Sequence, residues 1–527
     1  GGTQTAASTY TAEPAGFGQA PRFPAPRFLQ FLAGEGLCLK DQPTLNRSVA
    51  VLREMARGGI LDQVGGGFHR YSVDAAWQVP HFEKMLYNQG SLAECYLEVG
   101  RMTSDEELLG IGRGVLRAML DQFQLEDGTF AGSWDADSGG VEGSFYVWTP
   151  EQVHEVIPGD SAQWVCDYLG IGEEGNFEGT DASVPRQAVT MEVLAKSAGI
   201  SAAEMQSQVE SGIARLLEAR GSRVAPKRDD KVILGWNALS ISGLARGAAI
   251  LDDPGLASAA ERAHAAISKT LIDDSGFLRR TDRHVDSTGQ ENEVTGNAAT
   301  LQDAALWVKC CLDLYEATFD SRFVESAEEG VRLIQREFGP LEPGHGFYEA
   351  PSEVNLVVER RRDYFDGAIP SGNATMARNL LRLYELTGSS EHEEAARHLV
   401  EACLSRVGPY PMGAAELLLA VQAISRSGPV VAIVGDPELE ETREMIRAAR
   451  SAPLPHLVSA FRSDLSSEGK GPVVPVLRDR ASREGRPLAY VCIDQVCEVP
   501  LDNVEELIQR LSDLAGKPGS PEKAEDR

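Results

Sequence analysis

The fold is decided by a stretch in the middle of the chain in which two kinds of helix follow each other. Ala304-Ala-Leu-Trp-Val-Lys-Cys-Cys-Leu-Asp-Leu314 has few charges on any side of the helix that its length predicts. Phe323-Val-Glu-Ser-Ala-Glu-Glu-Gly-Val-Arg-Leu-Ile334 instead has one apolar face and one charged face. A helix that is apolar all round is typical of a position covered on both sides, whereas an amphipathic helix lies between a core and water. The pair therefore predicts an inner helix followed by an outer one.

One order of features recurs along the chain: a polar motif, an apolar helix, a short turn, an amphipathic helix and a Gly-Phe turn. Apolar helices begin near residues 26, 81, 236, 299, 371 and 412, and amphipathic partners begin near 43, 104, 254, 321 and 390. A sixth partner is predicted at 203–220, inside the longest insertion. Six such hairpins favour an (α/α)6 toroid, with an inner ring of helices inside an outer one. A superhelical array of hairpins is the structural alternative.

The helical pattern stops after Gly428, and short apolar runs typical of β-strands take its place. Strands are predicted at 429–435, 473–477, 488–493 and 496–499, with helices at 437–452 and 504–514. The chain is therefore divided into an extended N-terminal segment at 1–20, the toroid at 21–427, a small α/β domain at 428–514 and a disordered tail at 515–527. The predicted fold class is mainly α, with a small C-terminal α/β unit.

Charge and hydropathy exclude whole classes of partner. The chain has 527 residues, with 50 Lys and Arg against 79 Asp and Glu, and a formal net charge of −29. Such a surface is repelled by nucleic-acid phosphates and by anionic lipid, so neither nucleic acid nor a membrane is expected as a partner. No run approaches the ~18 uninterrupted apolar residues of a membrane span, and no signal peptide is visible. A cytoplasmic protein is the expectation.

The eight cysteines contain no Cys-x-x-Cys pair and no zinc-like quartet, so no metal is predicted. No cofactor is predicted either, because Gly65-Gly-Gly67 lacks the Lys-Ser/Thr and the strand–loop–helix frame of a phosphate loop. Scattered single cysteines in a large chain are typical of reduced, buried thiols. Cys492 and Cys497 are predicted on facing strands of a hairpin, where two resting thiols are favoured over a redox pair.

Polar motifs precede or open the inner helices. If the hairpins alternate in direction, all inner helices run the same way and their N-termini meet at one mouth of the ring. A pocket there suits a sugar-like small molecule, because aromatic rings stack on C–H faces while carboxylates and amides bind hydroxyls. The catalytic candidates are Glu83, His81, Asp303, Asp366, Asp135 and Asp137. The candidates for substrate binding are His69, Trp77, Lys84, Tyr87, Trp236, Asn237 and Asn373.

Several candidates also have a structural interpretation. His81 and Glu83 lie where a helix start is predicted, so they fit a capping arrangement. Asp135 and Asp137 lie in a Gly-rich loop, where Asx turns are common. Asp303 is more informative, because a carboxylate buried on an apolar helix is costly without a partner or a chemical task.

Long motifs resemble one protein family. Gly65-Gly-Gly-Phe-His-Arg-Tyr-Ser72, Trp77-Gln-Val-Pro-His-Phe-Glu-Lys-Met-Leu-Tyr87 and Asp366-Gly-Ala-Ile-Pro-Ser-Gly-Asn373 are similar to signatures of the thioredoxin-domain-containing, six-hairpin-glycosidase-like proteins, the family of spermatogenesis-associated thioredoxin-like protein. The resemblance covers most of the chain. It implies an (α/α)6 toroid related to glycosidases and N-acylglucosamine 2-epimerases. It also implies a thioredoxin-like domain, which is missing from this chain and is expected as its partner.

The motifs support two hypotheses of function. The first is a carbohydrate-active enzyme, glycoside hydrolase-like or epimerase/isomerase-like, acting on a sugar or sugar derivative at the mouth. Hydrolysis requires two carboxylates across the scissile bond. Epimerisation requires a proton abstractor on each face of the acidic carbon, usually histidine, and His81 and His69 are the candidates at the mouth. The second is a non-catalytic scaffold that holds a ligand or client and works with the thioredoxin-like domain. A thiol-redox function of this chain alone is disfavoured, because no cysteine has a sequence context that lowers its pKa.

Overall fold

A computed structural model describes residues 2–177, 179–273, 275–281, 297–352, 359–408, 410–426, 428–464 and 474–516, so most of the tail predicted at 515–527 lies outside the described residues. Helices dominate. In chain order they are α1 (Gly2–Thr9), α2 (Pro26–Leu39), α3 (Gln42–Arg57), α4 (Leu86–Thr103), α5 (Glu106–Phe123), α6 (Pro150–Val156), α7 (Ser161–Leu169), α8 (Met191–Ala198), α9 (Ala202–Arg220), α10 (Leu234–Leu251), α11 (Pro254–Leu271), α12 (Leu301–Thr318), α13 (Arg322–Glu337), α14 (Gly372–Thr387), α15 (Ser390–Val407), α16 (Ala415–Ser425), α17 (Glu440–Ser451) and α18 (Val504–Gly516). None of these described helices is both long enough and apolar enough to cross a membrane.

Short strands connect the helices. They are β1 (Tyr10–Ala12), β2 (Ala15–Phe17), β3 (Tyr71–Ser72), β4 (Pro80–His81), β5 (Lys84–Met85), β6 (Ser133–Trp134), β7 (Asp137–Ser138), β8 (Val141–Glu142), β9 (Arg228–Asp229), β10 (Val430–Gly435), β11 (Val458–Ser463), β12 (Leu488–Ile493) and β13 (Val496–Cys497). Strands β3 to β9 have two residues each. The pairs β3–β4 and β7–β8 each lie within one loop, whereas β5, β6 and β9 form a three-stranded sheet that joins three loops. Strands β10 to β13 form the C-terminal sheet.

Six helices pack side by side in a closed inner ring. Each of α2, α4, α10, α12, α14 and α16 contacts the next, and α16 returns to α2. Helices α3, α5, α11, α13 and α15 each pack on the inner helix that precedes them in sequence. The predicted toroid is confirmed, and the apolar segment 304–314 is buried throughout on an inner helix. The contact between α16 and α2 excludes an open superhelical array.

The turn from an inner to an outer helix is built in the same way in three hairpins. Lys40, Ser104 and Asp252 follow their inner helices in the left-handed conformation, with φ of 54°, 51° and 52°. The next residue is an aspartate whose side chain accepts from backbone N–H groups in the first turn of the outer helix. Such an N-cap stabilises a helix by about 1 kcal/mol. These tight turns therefore set the two helices of each hairpin side by side.

Two predicted segments have a different structure. Residues 203–220 lie in α9, which packs with α6, α7 and α8 in a helical insertion rather than on the ring. The position beside α2 and α16 is taken by α1, whose Ala6 is buried in one cluster with Phe28 and Ala415. The segment 1–20 is therefore not extended, since α1 and the β1–β2 hairpin occupy most of it. No amphipathic pattern marks α1, because it is only eight residues long and carries no charged side chain.

The C-terminal unit is a four-stranded sheet with the strand order β11-β10-β12-β13. Strand β10 is parallel to β11 and antiparallel to β12. Alternate side chains of β10 face opposite sides: Val431 and Ile433 lie in the core formed with α17 and α18, whereas Val430, Ala432 and Val434 join the core of the toroid. Burial on both faces explains why this strand is apolar without interruption.

Two details of the predicted C-terminal unit are wrong. Pro475–Leu477, within the strand predicted at 473–477, forms a 3₁₀ turn, because a proline cannot donate to a sheet ladder. Residue 473 itself lies outside the described residues. Strand β11 was not predicted, because its sequence Val-Ser-Ala-Phe-Arg-Ser has too few apolar residues to indicate a strand. It is a strand because it pairs with β10.

The C-terminal unit covers the end of the ring at which the inner helices finish. Arg450 on α17 donates to the carbonyl groups of Glu316 and Ala317 in the last turn of α12, both at 2.7 Å. In return, Arg101 near the end of α4 donates to the carbonyl of Leu454 at 3.2 Å. Carbonyl groups at a helix C-terminus lack partners within the helix and carry partial negative charge, so a guanidinium there is favourable. At the opposite end, the inner helices begin. This end is covered by the long loops that lead from one outer helix to the next inner helix, which we call the return loops.

Candidate functional site

The return loops that form the mouth are held by amide side chains of the inner helices. In three repeats the amide oxygen accepts from the backbone N–H of the Gly-Phe phenylalanine at 2.7–2.8 Å, and the amide nitrogen donates to its carbonyl at 2.7–3.1 Å. The pairs are Gln89 with Phe68, Asn237 with Phe130 and Asn373 with Phe347. Asn237 and Asn373 are fully buried. The oxygen and the nitrogen of each amide are hydrogen-bonded to the loop backbone. Asn237 and Asn373, which are predicted to bind substrate, therefore hold the loops of the mouth in place.

The return loops also cover the beginnings of the inner helices. The carbonyl oxygens of Gly132, Arg280 and Glu349 accept from the first N–H of α4, α10 and α12, at 2.8–3.0 Å. The first N–H groups of a helix have no partner within it, so these loops satisfy them. Side chains from successive loops are thereby brought to one rim of the ring.

His81 and Glu83 do not open a helix, contrary to the prediction, because β4 and β5 occupy this segment and α4 begins after them. The His81 ring lies between two carboxylates: Nδ1 is 2.7 Å from Oε1 of Glu142, and Nε2 is 3.2 Å from Oε2 of Glu83. The ring also stacks on Tyr71, with centroids 5.1 Å apart. The imidazole is therefore fixed in orientation while its edge stays in contact with solvent, since the side chain is 25% exposed.

A guanidinium joins this pair to aromatic rings. Arg70 Nη1 donates to Oε2 of Glu83 at 2.7 Å, and the charge of the same guanidinium acts on the hydroxyl of Tyr87. The ring of Tyr87 meets Trp236 edge-on, with centroids 5.0 Å apart. Trp236 is partly exposed, whereas Tyr87 is buried. We call His81, Glu83, Arg70, Tyr87 and Trp236 the mouth cluster, because their contacts form one continuous group.

His69 and Lys84, both predicted to bind substrate, are buried beneath this cluster. Lys84 Nζ donates to Oδ2 of Asp62 at 2.8 Å, and Arg220 of the insertion donates to Oδ1 at 2.9 Å. Burial lowers the pKa of Lys84 to about 8, although Asp62 acts in the opposite direction. Burial and the charge of Lys84 lower the pKa of His69 to about 3, so its imidazole is neutral and its Nδ1 faces the Phe82 carbonyl at 2.9 Å. This group fastens the loop to the insertion.

Asp303 anchors two inner helices to each other. Its Oδ2 accepts from the backbone N–H and the hydroxyl of Thr300, at 3.0 and 2.9 Å, in the capping box of α12. Its Oδ1 accepts from the N–H of Gly235 on α10 at 3.2 Å, and Arg280 lies 3.5 Å away. The residue is 1% exposed. The sequence alone shows no partner for this carboxylate on its apolar helix, whereas in the structure Thr300, Gly235 and Arg280 contact both of its oxygens.

Asp366 has a similar task at the next two helices. It accepts from the N–H of Ser371, just before α14, and from the N–H of Glu416 in α16, both at 2.9 Å. Burial raises the pKa of Asp366 to about 6, although these two N–H groups act in the opposite direction. The carboxylate therefore fixes the starts of α14 and α16.

The remaining predicted residues lie away from the mouth cluster contacts. Trp77 is 2% exposed, and its Nε1 donates to the carbonyl of Ala15 at 2.9 Å. Asp135 and Asp137 are exposed, and Asp135 accepts from the N–H of Asp137 at 3.3 Å, which is an Asx-type turn.

Sequence reasoning missed two mouth residues, Arg70 and Glu349. Burial and the charge of Asp363 raise the pKa of Glu349 to about 7, although the N–H of Gln302 acts in the opposite direction. Glu349 is therefore a carboxyl that exchanges a proton near neutral pH. Arg70 and Glu349 stand at equivalent positions, two residues after the phenylalanine of a Gly-Phe turn. Alignment of the repeats at this turn was the signal that could have found them.

Charged side chains from the inner helices meet inside the ring. Glu94 pairs with Arg27 at 2.7 Å and with Lys309 at 3.1 Å. Asp313 pairs with the same lysine at 2.7 Å and with Arg382 at 2.8 Å. These side chains are at most 18% exposed. Each buried charge has a partner of opposite sign, which burial requires.

Glu94, Lys309, Asp313 and Arg382 of this network line a cavity of about 140 Å³ near the end covered by the C-terminal unit. Glu98, Arg246 and Glu316 line it from the inner helices, and His456 and Asp494 line it from the C-terminal unit. This cavity is distinct from the mouth cluster. Among the described residues, no group of three or more His, Cys, Asp or Glu side chains is placed to hold a metal ion.

The closed ring and its polar mouth define a six-hairpin toroid protein. No family model matches the chain. Spermatogenesis-associated protein 20 of Homo sapiens is 30% identical over 94% of this chain and 67% of its own length. Uncharacterized protein B0495.5 of Caenorhabditis elegans is 29% identical over 95% of this chain and 71% of its own length. The chain belongs to the family of spermatogenesis-associated protein 20.

Solved structures of more distant proteins are also similar. Cellobiose 2-epimerase from Bacillus thermoamylovorans has a TM-score of 0.49 and 11% identity, covering 80% of this chain and 95% of its own. A GH76 α-mannanase from Bacteroides thetaiotaomicron has a TM-score of 0.43 and 11% identity, covering 71% of this chain and 72% of its own.

Proposed function

We propose that this protein is a carbohydrate-active enzyme, of the glycoside hydrolase or sugar epimerase/isomerase type, that binds a sugar or sugar derivative at the mouth cluster. The observation that carries the proposal is the continuous contact from His81 through Glu83 and Arg70 to Tyr87 and Trp236. It combines a partly exposed ring for stacking with charged groups that bind hydroxyls. The imidazole and carboxylates are the groups that general acid–base catalysis uses.

The roles within the cluster follow from exposure and pairing. Glu83 and His81 are partly exposed, and Nε2 of His81 lies 3.2 Å from Oε2 of Glu83, so they are the acid–base pair. Trp236 is the stacking platform, and Arg70 holds Glu83 in place. Glu349 replaces Asp303 as the second carboxyl of the proposal, because the oxygens of Asp303 are occupied by Gly235 and Thr300.

Binding and turnover are tested with a panel of sugars and sugar phosphates. A ligand at 100 times its Kd adds about 2.7 kcal/mol of stability, which a thermal shift detects. Glu83→Gln should retain that shift and lose turnover. The matched control is Glu438→Gln, an exposed carboxylate paired with Arg443 at 3.0 Å in the C-terminal unit, and it should retain both. Turnover that survives Glu83→Gln would remove Glu83 from the acid–base role.

The pH dependence tests Glu349. If its protonated form donates to the substrate, activity should fall as the pH rises through about 7, the pKa of Glu349. Glu349→Gln should remove this limb of the profile, and an unchanged limb would exclude Glu349. Incorporation of solvent deuterium into recovered sugar identifies epimerisation, whereas new reducing ends identify hydrolysis.

A non-catalytic scaffold is the second candidate, working with a thioredoxin-like domain that lies outside this chain. The observation that favours it is the number of motif side chains that the chain's own loops use, among them Trp77, Lys84, Asn237 and Asn373. A ligand that shifts the melting temperature without any turnover, in the presence of that domain, would support this candidate against the enzyme.

A further inference from the structure

The C-terminal sheet ends in a hairpin closed by a disulfide between Cys492 and Cys497. The sequence predicts two resting thiols here, and that prediction is wrong because the antiparallel register of β12 and β13 sets the two residues directly opposite each other, with Cα atoms 3.9 Å apart. The other six cysteines are free thiols, and five of them are buried. Cys492 is 2% exposed, whereas Cys497 is half-buried.

The face of the hairpin around Cys497 is open. Val496 and Val499 flank it and are 73% and 81% exposed, and Glu498 between them is also exposed. A nucleophile approaching from solvent therefore reaches the sulfur of Cys497 before that of Cys492.

One guanidinium lies against both sulfurs. Arg480 Nη2 is 2.8 Å from Sγ of Cys497 and 3.4 Å from Sγ of Cys492. The loop that carries it is fastened to the sheet, because the hydroxyl of Tyr490 binds the carbonyl of Ala481 at 2.9 Å. Within the described part of the chain, no carboxylate forms an ion pair with Arg480. Besides the two sulfurs, the guanidinium lies over the ring of Tyr490, 5.4 Å from its centroid.

A cation gains little from a neutral disulfide but stabilises a thiolate, which is the form released when the bond opens. We propose that the Cys492–Cys497 hairpin is a site of reversible thiol–disulfide exchange whose substrate is a dithiol reductant, and that Arg480 stabilises the sulfur anions formed in the exchange. No comparison assigns a function to this site.

The exchange takes two steps. A substrate thiolate attacks Sγ of Cys497, the new S–S bond forms as the Cys492–Cys497 bond breaks, and Cys492 leaves as a thiolate beside Arg480. The second substrate thiol then loses its proton and attacks the substrate sulfur that is bonded to Sγ of Cys497. The substrate disulfide forms, and Cys497 leaves as a thiolate at the closer guanidinium contact. Two electrons and two protons pass to the hairpin, which ends as two thiols, and the dithiol ends as a disulfide.

The hairpin also connects this chemistry to the toroid. Its turn residues Asp494 and Gln495 have φ of 49° and 63°. Gln495 Nε2 donates to the carbonyl of Tyr384 and to Oε2 of Glu385 at the end of α14, both at 3.2 Å. Reduction should loosen this contact, so hydrogen exchange at residues 488–497 is a second measurement that does not depend on thiol labelling.

The experiment compares the wild-type chain with the whole chain carrying Arg480→Gln. The matched control is Arg478→Gln, an exposed arginine two residues away. Each protein is reduced with dithiothreitol, quenched with a maleimide, and analysed by mass spectrometry for labelled Cys492 and Cys497. The equilibrium is measured at a pH above the thiol pKa values, where the thiolates predominate. There a thiol pKa raised by about one unit corresponds to about tenfold in the exchange equilibrium, or about 30 mV for two electrons. We expect Arg480→Gln to shift the equilibrium about tenfold toward the disulfide and to slow reduction at least threefold. Arg478→Gln should match the wild type.

Three further arms complete the test. Arg480→Lys keeps the charge and should retain most of the reduction rate. It is also the variant to measure if Arg480→Gln does not fold. Glutathione, a monothiol, should stop mainly at a mixed disulfide on Cys497, whereas dithiothreitol should proceed to two thiols. Hydrogen exchange at 488–497 should increase on reduction. A reduction rate of Arg480→Gln within twofold of the wild type, a hairpin that stays oxidised under excess dithiothreitol, or thiols that do not re-form the bond on reoxidation would each overturn the proposal.

Discussion

Replacing Asp303 with asparagine distinguishes a structural carboxylate from a functional one. Its two oxygens accept three hydrogen bonds, from the N–H of Gly235 and from the N–H and hydroxyl of Thr300, at 2.9–3.2 Å. Arg280 lies 3.5 Å away. An amide keeps only one acceptor oxygen, and its NH₂ group must face a backbone N–H that also donates. At least one buried donor is then left without a partner.

The cost follows from these contacts. Loss of a helix cap costs about 0.5–2 kcal/mol, and a hydrogen bond to a charged group contributes about 1.5–3 kcal/mol. The two contributions overlap, because Oδ2 both forms the cap and carries the charge. We therefore expect Asp303→Asn to lower the free energy of unfolding by about 2–4 kcal/mol.

Denaturant unfolding followed by circular dichroism measures this change. The control is Glu325→Gln, an exposed carboxylate in the first turn of α13, which should change stability by less than about 0.5 kcal/mol. If Asp303→Asn instead melted at or above the wild-type temperature and lost ligand binding, the carboxylate would be functional and the structural assignment would be refuted.

Two other changes test the buried charges. Asp62→Asn should cost about 3–5 kcal/mol, because it leaves Lys84 and Arg220 buried without their shared carboxylate; the exposed Asp230→Asn is the control, and equal unfolding midpoints would contradict the expectation. Burial acts to raise the pKa of Glu98, but two guanidinium groups outweigh it and lower the pKa to about 2. Because the folded pKa lies below the unfolded value, Glu98 stabilises the fold above about pH 4.5, and this contribution is lost as the pH falls toward 2. Glu98→Gln should remove about 2–3 kcal/mol at pH 7 and flatten the acid limb of a stability–pH curve, and an unchanged limb would contradict the assignment.

The helical hairpins were predictable because their signal is local. The segments that become α12 and α13 differ in the distribution of charge around one helix, and neighbouring residues alone determine that distribution. Repetition of the same order then indicated a ring. The N-terminal helix α1 was missed because its small polar and apolar residues show no such contrast, and it is defined only by packing against Phe28 and Ala415.

The identity of the mouth cluster was only half predictable. His81, Glu83, Tyr87 and Trp236 were found as polar and aromatic residues near inner-helix N-termini, and the structure brings them into contact. Arg70 was missed, because its importance depends on a carboxylate thirteen residues away that reaches it only after β3 pairs with β4.

By itself, the amino-acid sequence determined the helical hairpins of the ring, their alternation between buried and solvated helices, and the end of the ring to which the polar motifs belong. Only the tertiary structure decided what each polar side chain does there. Asn237, Asn373 and Asp303 are predicted as ligands because the sequence does not show which distant groups reach them. In the structure Phe130, Phe347 and Gly235, all distant in the chain, contribute hydrogen bonds to these three side chains. Cys492 and Cys497 were two separate thiols until strand register set them opposite each other. Periodicity is a property of neighbouring residues, whereas the satisfaction of a buried donor, acceptor or thiol depends on which distant groups the fold brings within reach.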